Sequence, residues 1–596
     1  MTAFSRSRSI SSLPIGNGIH SRDDKLVRAV EAPGHLPGIL QTMSSSDTEL
    51  SSRLGPIVTS IWKRDPTIFG AIPTLEPLIA NRYGWLDVAT RMRTQVASLH
   101  KFASSVRSSG RKKALLLGMG GSSLAADVMR HTLPGGRDAV EVTVLDSTHP
   151  EAVKALLASH EPSASVYLVS SKSGTTTEPL CFQETFWTHA VKQLGGAQAG
   201  DSFVAITDSG SKLAVEAANR GYRRAFINPE DIGGRYSALS FFGLVPASLM
   251  GADLEALLAS AADAMAKCQT TTPIHQNPGA QLGLALAEHA RAGRNKLTLL
   301  CPPPFERFGV WVEQLIAESL GKYGGGILPV EGEQITDGTR FGNDRFYVAI
   351  EPVTGNVDQL RRQSHAAHAD DLEAAGLPVF RMPVSRPEDL GGLFFIWEFA
   401  TTVAGALLGI EPFDQPNVEL SKVLTRKVLE SYVRTGILEE PPAVLAANAA
   451  DALRPRLAGP LRPDYVAIQA YLNPSSAIEI ALKRLRLAVA AKAWPAPVTI
   501  GYGQVPALDW ATSQGWHRRP IHPTSRSVWP RRRYSGRSIR VQHVDLCTIH
   551  RGLPGAVGCR SPSRARRPRN RPSRRNRFVG SCPLTQTFMR EATRHN

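Results

Sequence analysis

The sequence predicts an α/β protein of two lobes, each a parallel sheet flanked by helices. Short apolar runs alternate with helix-period runs from Lys113 to Asn228, and the same layout returns between Gly279 and Val384. Strands that alternate with helices in this way pair in parallel through βαβ units. Gly-, Ser- and Thr-rich turns stand where two of the strands end, and open α/β sheets bind ligands at those ends.

Residues 1–45 are rich in Ser, Arg and Gly without a sustained period and read as a disordered extension. Residues 46–260 make the first lobe. It opens with helical spacing in SSRLGPIVTSIWKRD and IANRYGWLDVATRMRTQVASLHKFASSV. KALLLG (Lys113–Gly118) is a buried strand, and GMGGSSLAADVMRHT is a Gly-rich turn leading into a helix. The strands VEVTVLD, VYLVSS, SFVAITD and RAFIN follow, separated by helices, before GGRYSALSFFGLVPASLMG supplies a turn, one Arg and an apolar helix. Residues 261–440 repeat the layout: a helix from Gly279 to Ala292, strand KLTLLCPP, helix VWVEQLIAESLGK, strand FYVAIEP, a helix near Ala366 to Ala375, strand PVFRMPV and the apolar helix LGGLFFIWEFATTVAGALLG. Residues 441–503 add a smaller piece with the strands DYVAIQAYL and PVTIGYG. Two lobes of one kind make the cleft between them the default site.

The richest stretch is YLVSSKSGTTTE, Tyr167 to Glu178, an apolar strand that stops in hydroxyls, one Lys and one Gly. A helix N-cap needs a single hydroxyl and gains about 1 kcal/mol from it. Here five of the seven residues from Ser171 to Thr177 are Ser or Thr, far more than a cap uses. Ser171, Ser173, Thr175 and Thr176 are therefore candidate donors to a phosphate, with Lys172 adding charge. Gly118, Gly120 and Gly121 resemble half of a dinucleotide fingerprint, with Asp146 ending the next strand. The third position of that fingerprint is Ser123, and the hydroxyl loop has no part in it, so dinucleotide binding is the weaker reading.

The net charge of +17 suggests nucleic acid until it is located. From Gln504 onward there are 20 Arg, no Lys and 3 acidic residues, so the remainder is neutral and all the excess lies in residues 504–596. That tail has clustered Arg but no interleaved aromatic platform or helical register, which argues against a specific nucleic-acid partner. No uninterrupted apolar run approaches the ~20 residues that span a bilayer, the opening MTAFSRSRSISS has no apolar signal core, and six Cys without CxxC spacing fit a reducing, cytoplasmic setting. Neither a metal nor another cofactor is called for, since HExxH, CxxC pairs and paired-Asp loops are missing.

Five segments then coincide in order. GMGGSS, SKSGTTTE, GGRYS, EQLIAESLGK and PFDQPNVELSK resemble the double-lobed sugar isomerase (SIS) fold of phosphoglucose isomerases, and more closely the isomerase half of bacterial transaldolase/phosphoglucose isomerase fusion proteins. The similarity covers residues 50 to 503. It implies that Gly121, Ser122, Ser171, Lys172, Ser173, Thr175 and Thr176 hold a sugar phosphate. It also implies that Glu318 is the base moving a proton between C2 and C1 through an enediol, a task for one general base. Glu313, five residues earlier on the same helix, is the competitor; residue chemistry alone does not choose between them. Arg235 matches the arginine that stabilises the enediolate. Gln415 and Lys422 match the glutamine and lysine that reach the sugar, the Lys helping to open the ring. The resemblance implies glucose-6-phosphate isomerisation, a small-molecule sugar phosphate partner and a possible homodimer.

One departure stands out. Simpler bacterial isomerases carry a ring-opening His in a DLHSLGQ-like segment after the Glu, and the fusion-type relatives in an LHSTGQLHKGG-like segment after the GYG strand. Here ITDGTRFGNDRF contains no His, and GYG runs into QVPALDWATSQGWHRR. Written back into codons and read one base over, Gln504–Arg518 permits KYLHSTGQLHKGG. The tail is accordingly read as an out-of-frame, disordered product, and weak or absent turnover is expected from lobes that still fold. The opening MTAFSRSRSISSLPIGN likewise permits GVQPFSVDKLLADRK, resembling the end of a transaldolase; transaldolase activity itself is not expected. A non-catalytic sugar-phosphate sensor is the competing reading, since SIS lobes can bind phosphosugars without chemistry.

Overall fold

A computed structural model describes residues 47–70, 74–322, 325–333, 342–353, 368–414, 416–437, 448–458, 464–493, 495–502 and 540–541. The first sheet contains β1 (Lys113–Leu117), β2 (Glu141–Leu145), β3 (Ser165–Ser170), β4 (Phe203–Asp208) and β5 (Arg224–Asn228), in the order β2-β1-β3-β4-β5. All pairings are parallel, with Leu115 of β1 opposite Thr143 and Tyr167. All six residues of β3 are buried, the pattern of a strand covered on both faces. Tyr167, Phe182, Phe186 and Phe203 fill the core on one face. The chain order reverses between β1 and β3, so the loops after these two strands flank the crevice in which open α/β sheets bind ligands.

The second sheet contains β6 (Lys296–Leu300), β7 (Leu328–Val330), β8 (Arg345–Pro352) and β9 (Val379–Val384), in the order β7-β6-β8-β9 and again all parallel. β7 is missing from the sequence reading; three residues after a glycine run are too few to display a period. The smaller piece pairs β10 (Val466–Ala470) with β11 (Val498–Tyr502), also in parallel.

Three features differ from the sequence expectation. The boundary at residue 260 falls inside the Leu254–Lys267 helix. The first helix, Asp47–Trp62, expected in the first lobe, is tied to the second: Arg53 pairs with Glu288 at 2.5 Å, and Trp62 Nε1 donates to the Cys268 carbonyl at 2.8 Å. An amphipathic period shows that a helix buries one face, not which neighbour covers it. Finally, the basic tail is not wholly unstructured, because Arg540–Val541 forms β12, parallel to Ala467 and Ile468 on the free edge of β10. An unpaired strand edge accepts whatever extended backbone reaches it.

The apolar segment Pro387–Leu408 is long and apolar enough to cross a membrane by composition, yet 83% of its apolar window is buried within the protein. It runs between the Leu254–Lys267 and Pro278–Arg291 helices, and glycines permit the close approach: a Cβ on Gly391 would lie 2.0 Å from the Leu257 carbonyl oxygen. All-round hydrophobicity here marks a central core helix.

Candidate active site

β1 ends in Gly118–Ser122 and β3 in Ser171–Thr176, side by side: Ser170 Oγ donates to the Ser122 carbonyl at 2.7 Å. Gly174 turns the second loop with φ +64°, and a Cβ there would sit 2.6 Å from Leu213 N, so only glycine fits. Thr176 is the N-cap residue of the 18-residue Thr177–Leu194 helix but makes no capping bond with its side chain. Its hydroxyl and the first amides of a long helix are thus left to meet an anion. Ser171 is buried, and its Oγ has no protein partner among the described residues. Ser173 and Thr175 bond to each other at 2.8 Å on the exposed rim. Lys172 pairs with Asp208 and donates to the Glu230 carbonyl at 3.3 Å, so its ammonium is partly committed. Burial raises the Asp208 carboxyl above its usual range, against the pull of Lys172.

The first loop meets the Arg235 turn through backbone contact. A Cβ on Gly121 would lie 2.2 Å from the Gly234 carbonyl oxygen, so Gly121 rests directly on the Gly234–Tyr236 turn. That turn carries Arg235, which is 4% exposed and crosses between the lobes. Its Nη1 pairs with Glu318 Oε1 at 2.9 Å, Nε donates to Ser319 Oγ at 3.0 Å, and Nη2 donates to the Pro412 and Asp414 carbonyls at 2.7 and 3.2 Å. Glu318 lies on the Phe308–Leu320 helix, is 4% exposed, and receives a bond from Gln314 Nε2 at 3.4 Å. Hydroxyl loops, arginine and carboxylate are therefore linked by an unbroken chain of contacts.

The two candidate glutamates part company here. Glu313 is turned away from Arg235 toward Glu331 and Arg486, and burial pushes its carboxyl up to about 8, with the Glu331 charge adding to the rise and Arg486 opposing it. A carboxyl that keeps its proton at neutral pH is a poor base.

Gln415 lies outside the described residues, as does the side chain of Lys422, whose backbone belongs to the Pro416–Thr435 helix. Four neighbours escape the sequence reading: Gln314, Ser319, Lys322 and Asp414. Gln314 stands one helical turn before Glu318, so helical spacing could have flagged it; Lys322 lies past Gly321, where that helix ends. Asp414 gives no such signal. Arg82 is a further miss; its Cδ would lie 3.7 Å from a Cβ on Gly233, and its Nη1 shares the Glu230 carbonyl with Lys172, at 3.4 Å.

The sequence pattern of the family described as phosphoglucose isomerase matches residues 84–343 and 377–439, more than half of the sequence. The chain belongs to the phosphoglucose isomerase family. It is 30% identical over 385 residues to the glucose-6-phosphate isomerase of Lactobacillus helveticus, spanning 56% of this chain and 84% of that protein. It is 28% identical over 413 residues to that of Exiguobacterium sibiricum, spanning 60% and 88%. Among solved structures, a hypothetical protein from Thermus thermophilus superposes with a TM-score of 0.53 at 25% identity, covering 64% of this chain and 96% of the other. Apart from Arg82, every segment of the site that the structure describes falls within the residues matched to phosphoglucose isomerases.

Proposed function

We propose that this phosphoglucose isomerase family member interconverts glucose 6-phosphate and fructose 6-phosphate. The observation that carries this reading is the buried Arg235–Glu318 pair at 2.9 Å, joined through Gly121 to the hydroxyl loops. Relatives across most of whose length the chain aligns are glucose-6-phosphate isomerases.

In the proposed mechanism Ser122, Ser171 and Thr176, with the amides of the Thr177–Leu194 helix, take the phosphate, while Lys172, Ser173 and Thr175 form its rim. Glu318 removes the C2 proton of the open-chain aldose. The C–H electron pair becomes the C1–C2 double bond, and the carbonyl electrons move onto O1. Arg235 meets that negative charge with a guanidinium already fixed by four acceptors, so little reorganisation is needed. The proton returns from Glu318 to C1 as the O2 hydroxyl passes its own proton to O1, which leaves an alcohol at C1 and the ketone at C2. Lys422 and Gln415 are assigned to the sugar ring and its opening. We also place the protein in the cytoplasm, consistent with the free thiols of Cys181, Cys268 and Cys301, and as a homodimer, for which Val423, Val428 and Val433 offer exposed apolar positions on the Pro416–Thr435 helix.

The missing histidine segment favours a second reading, a sugar-phosphate-binding protein without turnover. Incubation with fructose 6-phosphate in D2O separates the two. Deuterium entering the sugar together with glucose 6-phosphate formation supports the isomerase, and slow formation relative to exchange fits impaired ring opening. Saturable binding without exchange would refute the isomerase and support the binding protein.

A further inference from the structure

We propose that Lys322 is a positioning residue for the catalytic pair, acting through the Glu411–Asp414 turn to aim Arg235 at Glu318; this rests on the isomerase reading above. The Lys322 side chain is wholly buried. Its ammonium donates to Asp414 Oδ1 and the Glu411 carbonyl, and to the Asp414 carbonyl at 3.0 Å. That last oxygen also accepts from Arg235 Nη2, at 3.2 Å, so two cations converge on one carbonyl. The turn itself is locked by Glu411, whose carboxylate accepts from Phe413 N at 2.6 Å and Asp414 N at 2.7 Å.

The geometry follows from the chain. Gly321 ends the helix that carries Glu318 and Ser319, and Lys322 comes next. Glu318, Ser319 and Lys322 are thus one segment holding one turn and one arginine. Arg235 is planar, and its Nε, Nη1 and Nη2 each have a partner, so the position of the Asp414 carbonyl sets the tilt of the whole fork. A buried ion pair is weak evidence for stability, because apolar residues of similar volume often do as well. What a lysine adds at this place is a hold on a carbonyl that an apolar side chain cannot supply. Burial and the Arg235 charge depress the Lys322 pKa, whereas Asp414 and Glu411 oppose the fall. With all three of its ammonium bonds given to Glu411 and Asp414, Lys322 has no donor left for the sugar.

The test uses the full chain and the rate of deuterium entry from D2O into fructose 6-phosphate. Lys322→Met should lower the maximal exchange rate at least 10-fold with KM held within about 3-fold. Lys322→Met leaves Asp414 unpaired and risks unfolding, so Lys322→Met with Asp414→Asn removes both charges and should show the same loss. In an Arg235→Lys background the Lys322 change should cost less than a further 2-fold, since the residue it acts through is already altered. An equal loss in both backgrounds would overturn the proposal. So would a lowered unfolding temperature with unchanged exchange, or a change confined to KM. If the unaltered chain shows no exchange, the isomerase reading falls and takes this inference with it; exchange that survives both Lys322 variants sinks the inference alone.

Discussion

Replacing Glu313 by Gln should stabilise the protein at pH 7.5 and leave it unchanged at pH 4. Burial holds the Glu313 carboxyl at about 8, against 4.5 for the free side chain, and Oε1 has no partner among the described residues. Below pH 4.5 both folded and unfolded chains carry the proton, and the residue has no pH-linked effect. Above it the unfolded chain ionises while the folded chain cannot, so stability is lost as pH rises toward 8. At pH 7.5 the gap is about three pH units, each worth about 1.36 kcal/mol, which sets a cost of about 4 kcal/mol. Glutamine keeps the shape and has no proton to lose, so Glu313→Gln should recover up to about 4 kcal/mol at pH 7.5 and less than about 0.5 kcal/mol at pH 4. Urea unfolding followed by near-ultraviolet circular dichroism at pH 4, 5.5 and 7.5 measures the difference. A constant offset between the two proteins across those three values would refute the reasoning. Turnover should survive the change within about 3-fold, because Glu313 does not face Arg235.

Glu318→Gln should reduce proton exchange into fructose 6-phosphate by roughly 10²–10⁴-fold, the usual contribution of a general base, without loss of substrate binding by calorimetry. Thr176→Ala removes a hydroxyl that no cap uses; losing one bond to a charged group, about 1.5–3 kcal/mol, should raise KM for glucose 6-phosphate roughly 10-fold or more at little cost to the unfolding temperature. Gly121→Ala puts a Cβ 2.2 Å from the Gly234 oxygen, so the Arg235 turn must shift; we expect about 1–3 kcal/mol of destabilisation by denaturant titration and a fall in kcat larger than any change in KM.

Much of this was legible in the residues themselves. The strand-and-helix alternation of the first lobe translated directly into β1 to β5: the central β1, β3 and β4, buried on both faces, are written as near-continuous apolar runs, while the edge strands β2 and β5 carry exposed residues as well. The hydroxyl density after β3 and the lone arginine of GGRYS marked a candidate phosphate end and a candidate cation, and the structure brings both into one chain of contacts. Other features were beyond sequence periodicity. The choice between Glu313 and Glu318 depends on which face of the helix meets Arg235, and both residues are buried. Lys322 carries no mark in its own segment, because its burial depends on Glu411 and Asp414, some ninety residues away. Lys172 likewise found a carboxylate, Asp208, at the end of the neighbouring strand.

The seat of Gly121 on Gly234 has a consequence for substrate choice. Main chain resting on main chain has no rotamer to adjust, so the first loop and the Arg235 turn hold a fixed spacing, and only the Arg235–Glu318 side-chain pair lies between that turn and the carboxylate. On the isomerase reading the cleft would then work as a nearly fixed ruler. A sugar phosphate one carbon shorter or longer would anchor normally at its anionic end yet bring the wrong carbon to Glu318, and would act as a competitive inhibitor instead of a substrate.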